Sequence, residues 1–273
     1  MSHQDFACDC DKASVVYFTK VISPQALMAL YEKLGRQAQG RVAVKLSTGE
    51  AGNNNYLKPE LIKDLVQSVK GTVVECNTAY AGARNTTEAH RKLVAEHGFD
   101  RIADVDIMDS EGTMAIPAKG AVHLKEDIVG SHLKDYDFMM VLTHFKGHPM
   151  GGFGGALKNI AIGVASSAGK ANIHTAGHSQ DNEHWQTLEE GRYMKLTGPD
   201  HNAFIESMAE AAKAVSDFFG EGSRMVYLSV MNNMSVDCDC VSHPAAVDMK
   251  DIGMLASLNP VALDQACIDL VYA

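Results

Sequence analysis

Residues 137–178 read DFMMVLTHFKGHPMGGFGGALKNIAIGVASSAGKANIHTAGH, and this stretch indicates both the fold and a site. Its first seven residues form an apolar run, which predicts a buried strand. Glycines, imidazoles and amines then crowd together directly after that strand. The candidate binding residues of this stretch are His144, Lys146, His148, Gly152, Gly154, Gly155, Lys158, Asn159, Lys170 and His174.

Glycines this dense permit positive φ angles and let backbone N–H groups approach a ligand closely. With basic groups on both sides, the loop is suited to an anion or a metal-bound substrate. We therefore assign catalytic roles to His144, His148 and Lys158. The alternative is a glycine turn that only joins a strand to a helix. A P-loop is excluded because Leu157 precedes the lysine, and Leu157 also replaces the third glycine of a dinucleotide fingerprint.

Short β-branched runs alternate with helical patterns along the chain, which predicts an α/β fold with a largely parallel sheet and helices on both faces. We expect one domain over residues 1–273, and a natural chain that continues beyond Ala273. Three local expectations are less regular. They are an extended segment over 114–124 with a hairpin near Gly120, a short helix or turn over 128–133, and a loop with a short helix over 182–199.

Four strands end in polar clusters, and the carboxyl ends of parallel strands meet at one edge of a sheet, where ligands bind. The sequence therefore predicts a ligand cleft at this edge. Asparagine also favours turns for its own reasons, which is the alternative explanation. Outside the glycine-rich stretch, the amides assigned to the cleft are Asn53, Asn54, Asn55 and Asn77, and Asn232 follows a later strand.

The charge balance limits the partners. The chain carries 34 acidic and 24 basic residues, a net charge of −10, which argues against binding to nucleic acid or to an anionic membrane. No apolar run has the length that a membrane span needs. The first twenty residues lack a signal-peptide pattern, so we expect a cytoplasmic protein. From the basic groups of the glycine-rich loop, we expect its ligand to be a small anion. The oligomeric state stays open.

Cysteines form two Cys-Asp-Cys motifs, one at Cys8 and Cys10 and the other at Cys238 and Cys240. Four thiolates would hold a tetrahedral zinc ion or an iron–sulfur cluster. Alternatively, Cys238 and Cys240 act with His243 or with a histidine of the glycine-rich stretch. They could also be free thiols beside acidic residues. The cofactor is therefore open between an iron–sulfur cluster and a divalent metal.

Four motifs resemble a known family, the domain-of-unknown-function family 362 of iron–sulfur centre proteins. They are KLSTGEAGNNNY (45–56), VECNTAYAGARNT (74–86), the stretch from 137 to 170, and CDC (238–240) with DIGMLASLNPVALDQACIDLV (251–271). Many members carry a ferredoxin-like Cys-x-x-Cys-x-x-Cys insertion, which this chain lacks. The loop from His148 to Lys158 is also similar to that of nickel-dependent lactate racemase, as an analogy of site architecture.

These observations lead to two functional hypotheses. The first is a metal- or cofactor-dependent enzyme that acts on a small anionic substrate through the glycine-rich loop with its histidines and lysines. The second is a non-catalytic iron–sulfur or metal carrier that uses the Cys-Asp-Cys motifs.

Overall fold

The structure, a computed structural model, describes residues 13–181 and 200–273. Cys8 and Cys10 lie outside the described residues, as do the loop and short helix expected over 182–199. None of the described helices is both long and apolar enough to cross a membrane.

The elements alternate between strands and helices. The strands are β1 (Val16–Thr19), β2 (Val42–Lys45), β3 (Thr72–Glu75), β4 (Val105–Ile107), β5 (Thr113–Pro117), β6 (Glu126–Gly130), β7 (Phe138–His144), β8 (Lys146–His148), β9 (Gly152–Gly154), β10 (Met225–Met231) and β11 (Gly253–Ser257). The α-helices are α1 (Pro24–Lys33), α2 (Pro59–Ser68), α3 (Thr87–Glu96), α4 (Ala156–Val164), α5 (Ser167–His174), α6 (His201–Phe218) and α7 (Pro260–Tyr272).

The main sheet has the strand order β1-β11-β10-β7-β2-β3-β4. The five strands from β10 to β4 are parallel, and β11 and β1 extend the sheet antiparallel at one edge. Strands β7 and β10 are buried along their whole length. This burial explains their continuous apolar runs, since both faces of a central parallel strand are covered. The prediction of a largely parallel α/β sheet is confirmed.

Helices cover both faces of the main sheet, as predicted. Side chains of α1, α2 and α3 pack on one face, and those of α4, α6 and α7 pack on the other. Successive residues of β7 alternate between the two cores: Met139 and Val141 face α4, while Met140 and Leu142 face the opposite layer. Helix α1 begins as its sequence predicts, because Ser23 Oγ accepts a hydrogen bond from Ala26 N and Pro24 takes the first helical position.

The segment between β4 and β7 differs from the expectation. The extended run over 114–124 ends at Pro117, and its partner strand β6 begins at Glu126, so the hairpin is longer than predicted. A helix or turn starting at Ile128 is wrong, because Ile128 and Val129 continue β6 and a 3₁₀ turn begins only at Ser131. Pairing with β5 and burial of both β-branched side chains favour the strand.

Strand β6 carries Asp127, a carboxylate that is completely buried and has no hydrogen-bond partner for either oxygen among the described residues. Burial raises the pKa of Asp127 from its ordinary value of 3.8 to about 7. The folded protein therefore holds this proton more tightly than the unfolded chain does. Its stability falls as pH rises from about 4 to about 7, and the loss is complete above that range.

We predict that Asp127→Asn stabilises the fold at pH 8 by roughly 1–4 kcal/mol, because the neutral amide removes the cost of a buried unpaired charge. Urea unfolding at pH 4.5 and pH 8 should show the gain growing with pH. The exposed Asp135→Asn should show no such trend. An equal effect of Asp127→Asn at both pH values would contradict this origin.

Candidate functional site

A cavity of about 460 Å³ opens at the carboxyl ends of β2, β3, β7 and β10, with α4 and α5 forming one wall. This is the edge of the sheet at which the sequence predicts a cleft. The ionisable residues that line the cavity are Lys45, Glu50, Glu75, Cys76, Tyr80, Arg84, His144, Lys146, His148, Lys158, Lys170, His174, Cys238 and Cys240.

Three of these side chains form a potential metal site. The ligand atoms of His148, Cys238 and Cys240 all lie within 4.8 Å of one another. His148 ends strand β8, whereas both cysteines lie in the loop after β10. The glycine-rich stretch and the second Cys-Asp-Cys motif thus meet in one place, which is the arrangement described by the alternative in which the two cysteines act with a histidine of that stretch. His243 is not part of this group, because it is exposed and its Nδ1 contacts Ser242 Oγ.

The two thiols differ in their protonation. A hydrogen bond between them holds the pKa of Cys238 well below its ordinary value and raises that of Cys240 well above it. The positive charge of Lys158 further favours the Cys238 thiolate. The arrangement is therefore one thiolate and one thiol, which supplies the soft, anionic sulfur that a metal such as zinc prefers.

His148 reaches the cysteines with one ring nitrogen already engaged. Its Nδ1 accepts hydrogen bonds from Met150 N at 3.2 Å and Gly151 N at 2.9 Å. Metal-binding histidines usually donate their second N–H instead. Binding a metal through Nε2 of neutral His148 would place a proton on Nδ1, so the turn at Met150 and Gly151 must rearrange when a metal binds.

The cysteine loop is anchored by Asp239, which lies between Cys238 and Cys240. Asp239 Oδ1 is 2.7 Å from His144 Nδ1, and Asp239 Oδ2 accepts from Lys146 Nζ at 2.8 Å. Burial would raise the pKa of Asp239, but His144 and Lys146 together hold it below its ordinary value. The loop after β10 is thereby tied to the end of β7 and to β8.

His144, predicted to be catalytic, is placed as an anchor. Its Nε2 lies 2.6 Å from the carbonyl oxygen of Asn232, and its Nδ1 faces the Asp239 carboxylate. Both ring nitrogens are therefore engaged by neighbouring oxygen atoms. Lys146, predicted to bind an anion, is likewise committed to Asp239.

The glycines accommodate neighbouring side chains. A Cβ atom on Gly154 would lie 3.0 Å from Lys146 Cε, and one on Gly155 would lie 2.5 Å from the Asp264 carboxyl group. Asp264 accepts from Ala156 N at 2.7 Å and from Leu157 N at 2.9 Å, so it occupies the N-terminal amides of α4. Gly152 takes a φ of +74° in the turn between β8 and β9. The loop is a short hairpin rather than an open cradle of amides.

Lys158, in the first turn of α4, lines the cavity close to the metal-ligand group. It forms no ion pair and no hydrogen bond with any residue in the described part of the chain. Its charge acts on Cys238 and Cys240, and it lowers the pKa of His148 after the larger effect of burial. This cation is therefore positioned to meet an incoming anion.

The opposite wall is built on a buried salt bridge of Arg84, which belongs to the polar cluster that the sequence predicts after β3, with two glutamates that were not predicted. Arg84 Nε lies 3.2 Å from Glu50 Oε2, and Arg84 Nη1 lies 3.6 Å from Glu75 Oε2. Arg84 Nη2 also donates to the hydroxyl oxygen of Tyr80, which in turn donates to the carbonyl oxygen of Cys240 at 3.3 Å. Glu75 is the last residue of β3, and Glu50 and Arg84 lie in the loops that follow β2 and β3.

The predicted asparagines hold loops together. Asn53 Nδ2 donates to the carbonyl oxygens of Val241 at 2.8 Å and Cys238 at 3.4 Å, and Asn53 Oδ1 accepts from Asn55 N. Asn54 is exposed. These three asparagines all belong to the described residues, and none of them lines the cavity. Asn53 therefore fastens the loop after β2 to the cysteine loop.

Two further predicted amides are also bound internally. Asn77 Nδ2 donates to Thr87 Oγ1 at 3.0 Å, outside the cavity. Asn159 borders the cavity, but its Nδ2 donates to the carbonyl oxygen of Leu142 and to Thr143 Oγ1, both at 3.1 Å. These contacts join α3 and α4 to the strand ends.

His174 and Lys170 come from α5. The Nδ1–H of His174 donates to the carbonyl oxygen of Lys170 at 2.7 Å, and the ring stacks on Phe204. Burial lowers the pKa of His174 to about 3, so the imidazole is neutral at physiological pH. Lys170 Nζ donates to the carbonyl oxygen of Ala165.

We predict that Asp239→Asn destabilises the protein by about 3–5 kcal/mol, because it leaves the buried ammonium group of Lys146 without its carboxylate and alters the contact with His144. Chemical denaturation measures the loss, and a thiol reagent should react faster with Cys240. As a control, Lys92→Met breaks only an exposed pair with Glu96 and should change stability by less than about 0.5 kcal/mol. Unchanged stability and thiol reactivity in Asp239→Asn would show that the anchor is dispensable.

Comparison with solved structures shows the fold. The lactate racemase apoprotein from Thermoanaerobacterium thermosaccharolyticum matches with a TM-score of 0.53 and 14% identity, over 93% of this chain and 56% of that one. A protein from Thermotoga maritima matches with a TM-score of 0.47 and 16% identity, over 91% of this chain and 58% of that one. The chain thus spans little more than half the length of either protein. No curated protein sequence matches it.

The family is shown by sequence. A family model described as a domain of unknown function (DUF362) matches residues 42–269, which include every strand that borders the cavity. The cysteine loop, the glycine-rich hairpin and the Arg84 wall all lie within the match. The chain therefore belongs to the DUF362 family.

Proposed function

We propose that the protein is a metal-dependent enzyme that acts on a small anionic substrate in this cavity. The observation that carries the proposal is the meeting of His148, Cys238 and Cys240 beside Lys158, which forms no ion pair with the described residues. A metal-ligand set and an anion-binding group in one enclosed space are what such an enzyme requires.

The ligand set fits a catalytic metal better than a closed structural one. Two cysteines and a histidine are three protein ligands, and catalytic zinc sites commonly use three and keep a fourth position open. Their mutual separation of at most 4.8 Å needs only small movements to reach a common ion. A bound divalent metal would polarise an oxygen atom of the substrate in that open position.

The charge of the cavity favours an anionic substrate. Five lysine and arginine residues line it against two glutamates, although the whole chain has a net charge of −10. In a cavity with low-dielectric walls, such a local surplus of positive charge focuses the electric field and raises the local concentration of anions. Lys158 would hold the anionic group and neutralise negative charge that develops near the metal.

The alternative of a non-catalytic iron–sulfur or metal carrier draws on the same two cysteines. A cluster needs two further ligands, and the described residues place His148 there as one. Cys8 and Cys10 lie outside the described residues. The identity of the metal decides between the two functions.

We predict about one metal ion per chain in protein purified without oxygen, measured by elemental analysis. Cys238→Ser and His148→Ala should lose it, because each removes one of only three ligands. Cys267→Ala, which alters a buried thiol outside the cavity, should retain it. Metal retained in both ligand variants would exclude this site, whereas stoichiometric iron with inorganic sulfide would favour the carrier.

We predict that Lys158→Met retains the metal but weakens binding of a monoanionic probe, propionate, by about tenfold or more, since one favourable charge contact is lost. Titration of the metal-loaded protein followed by NMR measures the affinity. The exposed Lys125→Met serves as a control with unchanged affinity. Equal affinity of Lys158→Met and the original protein would remove Lys158 from anion binding.

A further inference from the structure

The cavity has a second cationic end, away from the metal ligands. Helix α4 runs along the wall, with Lys158 in its first turn and Gly163 in its last. Lys45 lies against Gly163, and Lys170 Nζ donates to the carbonyl oxygen of Ala165, just beyond the helix. We call the region formed by Lys45, Lys170, Glu75, Cys76 and Gly163 the inner end.

We propose that the inner end binds a second anionic group through Lys45 and Lys170, so that the substrate is a small dianion that reaches from Lys158 to these two lysines. This inference rests on the proposed anionic substrate and adds its chemical class.

The two lysines are buried and form no close ion pair among the described residues, although Glu75 acts on both at longer range. Lys45 is 1% exposed and Lys170 is 6% exposed. The only hydrogen bond of each ammonium group to a described residue goes to a main-chain carbonyl oxygen, that of Leu46 or of Ala165. No carboxylate in the described ranges lies within ion-pair distance of either. Each ammonium group has three N–H donors, so unmet donors border the cavity.

The nearest carboxylate is engaged elsewhere. Glu75 Oε1 accepts a hydrogen bond from Thr48 N, and Glu75 Oε2 lies 3.6 Å from Arg84 Nη1. Glu75 therefore pairs directly with Arg84 and acts on Lys45 only at longer range. A buried ammonium group that lacks a counter-ion is costly, and an anionic ligand would remove that cost.

Space for the lysine is built into the helix. A Cβ atom on Gly163 would lie 2.5 Å from Lys45 Cε and 2.6 Å from Lys45 Nζ, so the end of the Lys45 side chain occupies the space that this glycine leaves open.

The electrostatic state of the two lysines favours the binding of an anion. Burial lowers the pKa of Lys45 to about 8, with Glu75 and Cys76 opposing the shift and Lys170 and Arg84 adding to it. Burial also lowers the pKa of Lys170, against Cys76, Asp109 and Glu75 and together with Arg84. Asp127 faces Lys170 from β6. A bound anion would raise both values, so binding should take up protons.

Helix geometry sets the distance between the two ends. Five to seven residues separate Lys158 from Gly163 and Ala165, which at 1.5 Å per residue corresponds to roughly 8–10 Å along the helix axis. Because lysine side chains are long, the distance that a ligand must bridge between Lys158 and the two inner lysines is shorter than this axial distance. A dianion with a few carbon atoms between its charged groups matches this span, and the cavity of about 460 Å³ accommodates it.

The test compares dianions with matched monoanions. Calorimetric titration of the metal-loaded protein with succinate, glutarate, adipate and 3-phosphonopropionate covers several lengths and both carboxylate and phosphonate groups. Glutaramate, which replaces one carboxylate of glutarate by an amide, is the matched control ligand. We expect the best dianion to bind about tenfold or more tightly than its monoanion.

Lys45→Met and Lys170→Met should each abolish this preference while leaving binding of glutaramate within about twofold. Their melting temperatures should be unchanged or higher, because a buried unpaired charge is replaced by an apolar side chain. Lys119→Met, an exposed lysine, should behave as the original protein. Proton uptake on binding at pH 8, measured in two buffers of different ionisation enthalpy, should decrease in Lys45→Met.

Two results would overturn the inference: equal affinity of the original protein for glutarate and glutaramate, or a preference for dianions that persists in both lysine variants. If no anion of either kind binds the metal-loaded protein, the proposed function fails as well. The two failures are therefore distinguishable.

Discussion

The site depends on one buried carboxylate. Asp239 contacts His144 at the end of β7 and Lys146 on β8. These contacts fix the loop after β10 against the glycine-rich hairpin. Because Asp239 lies between Cys238 and Cys240, the same contact sets where both thiols point. A buried carboxylate held by Lys146 and His144 tolerates few alternative loop conformations, so it specifies geometry even where its net contribution to stability is small.

Electrostatics divide the molecule into two regions of opposite character. The chain as a whole is acidic, yet the cavity collects cations at both ends of α4. Arg84 compensates Glu50 and Glu75 internally, and Asp239 compensates Lys146. Among the described residues, Lys158 at one end and Lys45 with Lys170 at the other form no ion pair with a carboxylate. The residual charge, rather than the total, defines what the cavity can accept.

Much of the fold follows from sequence patterns, whereas the roles within the site do not. The apolar runs of β7 and β10 predict central parallel strands, and parallel strands require their polar ends to meet at one edge. Residue type alone could not show that His144 and Lys146 would be committed to Asp239, more than ninety residues later in the chain. The sequence analysis did not single out Lys45, because it is the last residue of a β-branched strand and fits that strand's pattern.

The glycine-rich stretch borders the cavity, but its glycines have contacts that differ from those the pattern suggests. Its glycines suggested backbone amides presented to a ligand, but Asp264 occupies the first amides of α4, and Gly154 and Gly155 make room for Lys146 and Asp264. Gly163 does the same for Lys45. In each case the missing side chain lets a buried charged group approach the backbone closely. The glycines therefore contribute to function indirectly, because they allow the chain to hold charges at the cavity wall.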